Sequence, residues 1–281
     1  MDKKITISDL VKAKQQGRKF AAVSCYDYTT ARLVAATPVE MILVGDSAAQ
    51  VILGFDSTLG ITMDFMVAIT AAVRRGAPNV MLVADMPFLS YQPSIETAIK
   101  NAGRFMAQAG VGMVKIEATE AQIETIKAVS DADIPTMPHI GIRPQSGKLK
   151  AQGGTSTSAI ELIYLADKMC QAGASMLLLE GTTREVAKII TERLPIPVVS
   201  CGSGPECDGQ ILIMPDILGE SSGRMPKFSK NYANLGQATI DAVKSYADEV
   251  ASGKYPEDEH CYHIKPGQME DLRKMLASEQ H

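Results

Sequence analysis

The chain has 281 residues, of which 46% are hydrophobic and 21% are charged, so it can bury a substantial core. Its net charge of −4 and pI of about 5.7 give no general electrostatic reason to bind nucleic acid or an anionic membrane. No segment approaches the roughly 18 apolar residues of a spanning helix, and no apolar signal-peptide stretch follows Met1–Ile5. We therefore expect a cytoplasmic protein.

The cysteines do not indicate a disulfide framework. Their number is odd, none belongs to a C-x-x-C pair, and a chain with this much core does not need covalent crosslinks. We expect buried, unreactive thiols, although a catalytic cysteine stays open. The five are Cys25, Cys170, Cys201, Cys207 and Cys261.

Along the chain, short apolar segments alternate with longer amphipathic ones. A helix over Ser8–Gln16, ending at Gly17, precedes the first strand. The near-continuous apolar character of the strand candidates is typical of parallel strands buried on both faces. These candidates are Phe20–Ser24, Met41–Val44, Val80–Ala84, Met113–Glu117, Thr136–Ile140, Met176–Glu180, Val198–Cys201 and Gln210–Met214.

The segments between the strands carry helix start and stop signals. A helix starts at Ser94 and ends at Gly110, and another spans Ala159–Ala172. Two further helices begin with capping signals. One signal is Thr119 with Gln122, which starts a helix that ends before Pro135. The other is Thr182 with Glu185, ahead of Val186–Leu194.

After the last strand, Gln237–Ala251 predicts a long helix, and Met269–Leu276 is compatible with a short one within the polar segment Gly253–His281. We see no linker or low-complexity tract. The expected organisation is a single barrel domain over residues 1–265, followed by a polar C-terminal tail over residues 266–281 that could be helical.

Regular alternation of strand and helix predicts an α/β protein with a parallel sheet and right-handed crossovers. Eight strands favour a (β/α)8 TIM barrel, with an extra N-terminal helix and a C-terminal helical extension. An open doubly wound sheet is the alternative. Against it, the first βα turn, Ser24–Asp27, lacks the glycine fingerprint of a dinucleotide site.

Polar residues recur where the predicted strands end, which is where a barrel places its active site. Acidic residues are costly inside a core unless they are paired or bind a metal, and oxygen ligands suit a hard cation such as Mg²⁺. The residues are Tyr26 and Asp27, Asp46 and Ser47, Asp85, Lys115 and Glu117, His139, and Glu180.

Each of these residues also has a plainer interpretation. Asp46 and Asp85 are common turn formers, and Lys115 with Glu117 could be a simple ion pair on one strand face. His139 alone is more often a satisfied core histidine than a ligand. Cys201–Gly204 is similarly interpreted as a tight turn rather than as a phosphate cradle. Each plain interpretation is reasonable for one residue taken alone. Together they are improbable, because the residues recur at successive strand ends.

Several longer motifs resemble the ketopantoate hydroxymethyltransferase family. The likeness runs in unbroken order from about Ile5 to His263. The motifs that carry it are Val44–Ser47, Phe55–Leu59, Ala72–Pro78, Asp85–Phe88, Met113–Glu117, Pro144–Ser146, Asp208–Leu212 and Pro226–Phe228.

The resemblance implies a barrel of the phosphoenolpyruvate/isocitrate-lyase superfamily, assembled as a homo-oligomer that is usually a decamer. It implies hydroxymethyl transfer from 5,10-methylenetetrahydrofolate to 3-methyl-2-oxobutanoate in pantothenate biosynthesis. It also implies roles for single residues. Asp46, Asp85 and Glu117 would hold Mg²⁺, which chelates the 2-oxo acid and stabilises its enolate. Ser47, Lys115 and His139 would contact substrate with Asp46 and Asp85, and Glu180 would be the catalytic base.

The chain departs from the family pattern in the walls of the site. The loop after strand five, Pro144–Thr155, is shorter and lacks an aromatic residue, and Arg143 replaces a small polar residue. Ala48–Ala49 and Pro215–Asp216 also differ from the usual pairs. Two other functions therefore stay open: a folate-independent aldolase or lyase acting on another 2-oxo acid, and a non-catalytic scaffold.

Overall fold

A computed structural model describes residues 3–147, 149–221 and 225–279 of the protein. Within those ranges, no helix combines the length and apolar character needed to cross a bilayer.

Eight parallel strands form a closed barrel in which each strand pairs with its neighbours in sequence and β1 pairs with β8. This confirms the (β/α)8 prediction and excludes the open doubly wound sheet. Every predicted strand is present, and its bounds differ from the prediction by at most one residue. The strands are β1 (Phe20–Ser24), β2 (Met41–Val44), β3 (Met81–Asp85), β4 (Met113–Glu117), β5 (Thr136–Gly141), β6 (Leu177–Glu180), β7 (Val198–Cys201) and β8 (Gly209–Ile213).

Helices connect each pair of consecutive strands except β7 and β8, which a short loop joins, and further helices precede β1 and follow β8. They are α1 (Ile7–Gln15), α2 (Tyr28–Ala35), α3 (Ala48–Val51), α4 (Met63–Gly76), α5 (Ile95–Ala109), α6 (Ile123–Asp131), α7 (Ser156–Gln171), α8 (Arg184–Arg193), α9 (Met214–Leu218), α10 (Leu235–Ser252) and α11 (Gln268–Ser278). Short 3₁₀ turns lie at Thr58–Gly60, Glu120–Gln122, Pro144–Ser146 and Asp258–His260.

The predicted caps were right in two places and wrong in one. Ser94 caps α5, Gly110 ends it in the left-handed conformation, and the Thr119–Gln122 capping box forms. The capping box at Thr182 does not form, because α8 begins one residue later, after Thr183. The backbone of Thr182 instead forms an isolated bridge with Gln152, and its N–H donates to Ser203 Oγ (3.0 Å).

Two apolar cores stabilise the barrel. One lies between the strands and the surrounding helices and includes Phe105 and Ile126. The other fills the barrel interior and includes methionines such as Met41, Met113 and Met137. Leu10 of α1 belongs to this inner core, so α1 closes the amino-terminal end of the barrel. The carboxyl-terminal end is thereby left for the polar residues.

The chain divides into two compact units, one ending at Ala233 and the other beginning at Asn234. The first contains the barrel, and the second contains α10 and α11, none of whose residues is buried. The predicted division at residues 265 and 266 stays a prediction.

Candidate active site

A cavity of about 220 Å³ opens at the carboxyl ends of the strands. Most of the strand-end residues singled out from the sequence converge on it, because parallel strands all present the same end to one face of a barrel. The predicted site residues that line it are Asp46, Ser47, Asp85, Lys115, Glu117, His139 and Glu180.

Asp85, at the end of β3, and Lys115, in the middle of β4, form a buried ion pair, because the register of the two strands places them side by side. Lys115 Nζ lies 2.6 Å from Asp85 Oδ2, and the backbone N–H of Asp46 donates to the same oxygen (3.1 Å). Burial and the nearby Asp46 carboxylate raise the pKa of Asp85, while Lys115 opposes that shift. Burial alone would lower the pKa of Lys115, but the facing carboxylates raise it overall, so its ammonium stays charged.

Gln145 joins two of the other carboxylates and was missed from the sequence. Its side-chain amide donates to Asp46 Oδ2 (2.8 Å), and its backbone N–H donates to Glu117 Oε2 (2.9 Å). It belongs to the 3₁₀ turn after β5. The Pro144–Ser146 motif was a usable signal, but nothing in a lone glutamine indicates a partner 99 positions away.

Of the two predicted site residues that follow β1, Tyr26 holds Ser47 and Asp27 does not. Tyr26 is buried, and its hydroxyl forms a 2.8 Å hydrogen bond with Ser47 Oγ. Burial raises the pKa of Tyr26, so the phenol stays protonated. Asp27 does not line the cavity, because its carboxylate caps α2 by accepting the N–H of Thr30 (2.9 Å). Asp27, which was predicted to belong to the strand-end set, is therefore a helix cap rather than a residue of the cavity.

Glu180 and His139 face each other across the ends of β5 and β6. Glu180 Oε2 lies 3.2 Å from His139 Nε2, although both ring nitrogens are buried without a hydrogen bond of good geometry. Gly141 permits this approach. Its φ is +100°, and a Cβ there would lie 2.2 Å from the carbonyl oxygen of Glu180.

Cys201 lines the same cavity at the end of β7. Burial, reinforced by the Glu180 carboxylate, raises the pKa of its thiol well above the usual range. The thiol is thus neutral near pH 7 and neither a nucleophile nor a competing base. The glycines that follow form a tight turn rather than a phosphate cradle: a Cβ on Gly202 would lie 2.4 Å from the Phe228 ring, and Ser203 bonds back to Ser200 and Leu179.

The predicted metal ligands can be compared with what Mg²⁺ requires. Asp85 Oδ1 is buried and has no hydrogen-bond partner, which is the state of an oxygen that lacks a cation or donor. Among the described residues, no three His, Cys, Asp or Glu side chains are grouped as a complete metal site. Mg²⁺ commonly takes only one or two carboxylates and fills its shell with water and substrate. Asp46 and Asp85 fit that requirement, with Glu117 nearby in the same cavity.

Two of the larger clefts in the described part of the chain can be compared with this cavity. One, of about 590 Å³, is lined by residues around α3 and α9 and shares Gln50, Ile213, Asp216 and Pro226 with it. The other, of about 790 Å³, lies against α7 and shares no lining residue with it. Only the smaller of these two clefts therefore adjoins the cavity that holds the carboxylates.

Comparison with known proteins agrees with the motifs. The family model described as ketopantoate hydroxymethyltransferase matches residues 4–258. A 3-methyl-2-oxobutanoate hydroxymethyltransferase from Alkaliphilus metalliredigens is 45% identical over 96% of this chain and 97% of its own. Another 3-methyl-2-oxobutanoate hydroxymethyltransferase, from Nitrosopumilus maritimus, is 40% identical over 97% of this chain and 99% of its own.

Solved structures share the fold at low sequence identity. A 2,3-dimethylmalate lyase of the PEP mutase/isocitrate lyase superfamily aligns with a TM-score of 0.60 and 16% identity, over 98% of this chain and 96% of its own. Phosphoenolpyruvate phosphomutase from Streptomyces platensis subsp. rosaceus aligns with a TM-score of 0.61 and 18% identity, over 98% of this chain and 97% of its own.

Proposed function

The chain belongs to the ketopantoate hydroxymethyltransferase family, and on that premise we propose that it transfers a hydroxymethyl group from 5,10-methylenetetrahydrofolate to 3-methyl-2-oxobutanoate, giving 2-dehydropantoate. The observation that carries the proposal is the single cavity lined by Asp46, Asp85, Glu117, Lys115 and Glu180. It combines a set of carboxylates for a cation with a separate carboxylate for proton transfer.

Glu180 is the base in this proposal. Its side chain is about 20% exposed, and it lines the cavity rather than pairing with Lys115. A general base must come within roughly 3 Å of the proton that it removes. Glu180 would take the proton from C3 of the 2-oxo acid, leaving the electron pair as an enolate. The Cys201 thiol beside it is neutral and so does not compete with Glu180 as a base.

Asp46 and Asp85, with Glu117, would hold Mg²⁺ at the opposite wall. When bound, the cation would withdraw negative charge from the 2-oxo acid and so favour loss of the C3 proton. The unpartnered Oδ1 of Asp85 supports this placement. A substrate bound there would contact both carboxylates through the cation.

The remaining residues position the substrate. Lys115 stays charged and can offset the substrate carboxylate and the developing enolate. Ser47, already fixed by Tyr26, can donate to a substrate oxygen. His139 has two unbonded ring nitrogens and can hydrogen-bond the new hydroxymethyl group.

The one-carbon donor must present its methylene carbon to C3, so its ring must lie in space that opens into the cavity. The 590 Å³ cleft meets this need because it shares a wall with the cavity. The methylene carbon is bonded to two folate nitrogens, so one C–N bond breaks as the new C–C bond forms, and the other is replaced by a C–O bond to one water, which supplies the hydroxyl group of the product. The C3 proton and one proton of that water end on the two nitrogens of the released tetrahydrofolate. We also propose that the protein is a cytoplasmic homo-oligomer, with a decamer as the expected size.

The first test is proton NMR of 3-methyl-2-oxobutanoate in D₂O with enzyme and Mg²⁺ but no folate. We expect the C3 proton signal to disappear with the wild-type enzyme and to persist with Glu180→Gln or with EDTA. Removing a general base typically slows proton transfer by about 10²- to 10⁴-fold.

Unchanged exchange in Glu180→Gln would overturn the assignment of the base. If exchange occurs only after methylenetetrahydrofolate is added, the donor triggers enolisation and the assignments stand. Product formation from free formaldehyde without folate would favour the aldolase alternative. If the wild-type enzyme gives neither exchange nor product, 3-methyl-2-oxobutanoate is not its substrate and the proposed function fails, which leaves a different 2-oxo acid or the non-catalytic scaffold.

A further inference from the structure

Gln145 occupies an unusual position for an amide side chain. It is only 5% exposed, although it lies in a short 3₁₀ turn of a loop rather than in a strand or an α-helix. The turn that carries it, Pro144–Ser146, closely follows the end of β5. The loop therefore folds inward over the carboxyl ends of the strands and buries one polar side chain there.

The side-chain amide of Gln145 is fully engaged. Its NH₂ group donates to Asp46 Oδ2 (2.8 Å) and to the carbonyl oxygen of Met86 (3.1 Å). Its Oε1 accepts a hydrogen bond from the hydroxyl of Tyr91 (2.7 Å). A buried amide with both ends bonded has one orientation, and so has the carboxylate that it contacts.

The backbone of Gln145 fixes a second carboxylate. Its N–H donates to Glu117 Oε2 (2.9 Å), while the Tyr91 hydroxyl lies 3.1 Å from the carbonyl oxygen of Glu117. One residue thus holds an oxygen from each of two carboxylates, which come from the ends of β2 and β4. Neither bond adds charge, so the carboxylates keep their attraction for a cation.

We propose that Gln145 is a positioning residue that fixes the Asp46 and Glu117 carboxylates for a divalent cation. This inference rests on the proposed function, because it assumes that these carboxylates bind a metal. Hydrogen-bond partners of metal ligands set the orientation of those ligands, and losing one typically lowers metal affinity by about 10- to 100-fold.

The test measures Mn²⁺ binding to the full-length protein by the EPR signal of free Mn²⁺, without substrate or turnover. Gln145→Met keeps the side-chain volume but removes the donor to Asp46, and we expect Mn²⁺ affinity to fall by about 10-fold or more. Gln152→Met is the matched control, because it makes the same change in the same loop, where the Gln152 side chain donates to the carbonyl oxygen of Lys150 and not to a carboxylate. We expect wild-type affinity from that control.

A second variant covers the case in which Gln145→Met folds poorly. Tyr91→Phe leaves the bond from Gln145 to Asp46 in place and removes the hydroxyl that steadies the amide. We expect a smaller loss of affinity, with a melting temperature for the metal-free protein close to that of the wild type. Raising Mg²⁺ should restore kcat in both variants, which a general loss of folding would not allow.

The outcomes separate the two proposals. If wild-type protein binds Mn²⁺ and both variants bind it equally well, Gln145 does not position the ligands and only this inference fails. If wild-type protein binds no Mn²⁺, the inference and the metal part of the proposed function both fail. Loss of binding in Gln145→Met with wild-type binding in Gln152→Met supports both.

Discussion

Lys115 is the residue whose charge most needs a partner, because its ammonium group is buried beside Asp85 in the barrel. Removing one member of a buried ion pair leaves the other uncompensated, at a typical cost of about 3–5 kcal/mol. We expect Lys115→Met to lower the free energy of unfolding by roughly that amount. Adding Asp85→Asn to it should restore part of the loss. Urea denaturation of both single variants and the double variant, in EDTA, measures the coupling.

Strict additivity of the two substitutions would contradict this pairing. Contacting residues normally show a coupling energy of about 0.5–3 kcal/mol. Lys127→Met with Asp131→Asn gives the matched surface cycle, since that pair is also 2.6 Å apart but both side chains are more than half exposed. We expect a much smaller coupling there.

At the level of single residues, part of the candidate site could be predicted from the sequence and part could not. Asp46, Asp85 and Glu117 were predictable because a carboxylate directly after an apolar strand needs an explanation. Gln145 was not, because an amide in a loop is ordinary until the fold brings Asp46 and Glu117 to it. Asp27 marks the opposite error, since a strand-end carboxylate can simply cap the next helix.

At the scale of elements, the strands were predictable to within one residue because their apolar runs are short and bounded by polar residues. The cap at Thr182 failed because Thr182, which follows a left-handed Gly181 (φ +54°), pairs with Gln152 before α8 can begin. Local capping preference was overridden by a contact from the loop after β5. That loop also contributes Gln145, so its path affects both the start of α8 and the contacts of the Asp46 and Glu117 carboxylates.

The pairing of β5 with β6 depends on Gly141, which gives an element-scale prediction. Its φ of +100° is strained for any other residue, and a Cβ would meet the Glu180 carbonyl oxygen at 2.2 Å. We expect Gly141→Ala to cost at least about 1–3 kcal/mol in stability. Displacing Glu180 by about 1 Å should also reduce kcat about 100-fold. Thermal melting and steady-state kinetics measure the two effects.

Gly154→Ala is the control for that substitution, because Gly154 has an ordinary φ and a Cβ added there would meet nothing within 4 Å. It should retain wild-type kcat and melting temperature. Wild-type kcat in Gly141→Ala would show that β5 and β6 can separate without moving Glu180, and would contradict the prediction.

For the whole molecule, the sequence predicted alternating strands and helices, but closure required pairing between β1 and β8, nearly two hundred residues apart. An open sheet would use the same segments. Closure separates the barrel into two ends: the carboxyl-terminal end holds the cavity, while α1 covers the amino-terminal end. Stability and chemistry should therefore respond to different substitutions.

Lys14 tests that separation at the amino-terminal end. Its ammonium is 2.8 Å from Asp208 Oδ2 and 2.7 Å from the carbonyl oxygen of Thr191, so it ties α1 to α8 and to the start of β8. Both side chains of the pair are largely buried, and losing Lys14 leaves Asp208 with only the N–H of Val198 among the described partners of its carboxylate. We expect Lys14→Met to lower the free energy of unfolding by about 3 kcal/mol.

The same variant should keep wild-type kcat and KM at a temperature well below its melting point, because Lys14 lies at the end of the barrel opposite the cavity and does not line it. Lys12→Met, on an exposed position of the same helix, controls for loss of a surface charge and should change neither quantity. Denaturant unfolding and the D₂O exchange assay, run on the same preparations, measure both. A fall in exchange rate in folded Lys14→Met would mean that the two ends of the barrel are coupled, so that α1 would have to be counted among the elements that shape the site.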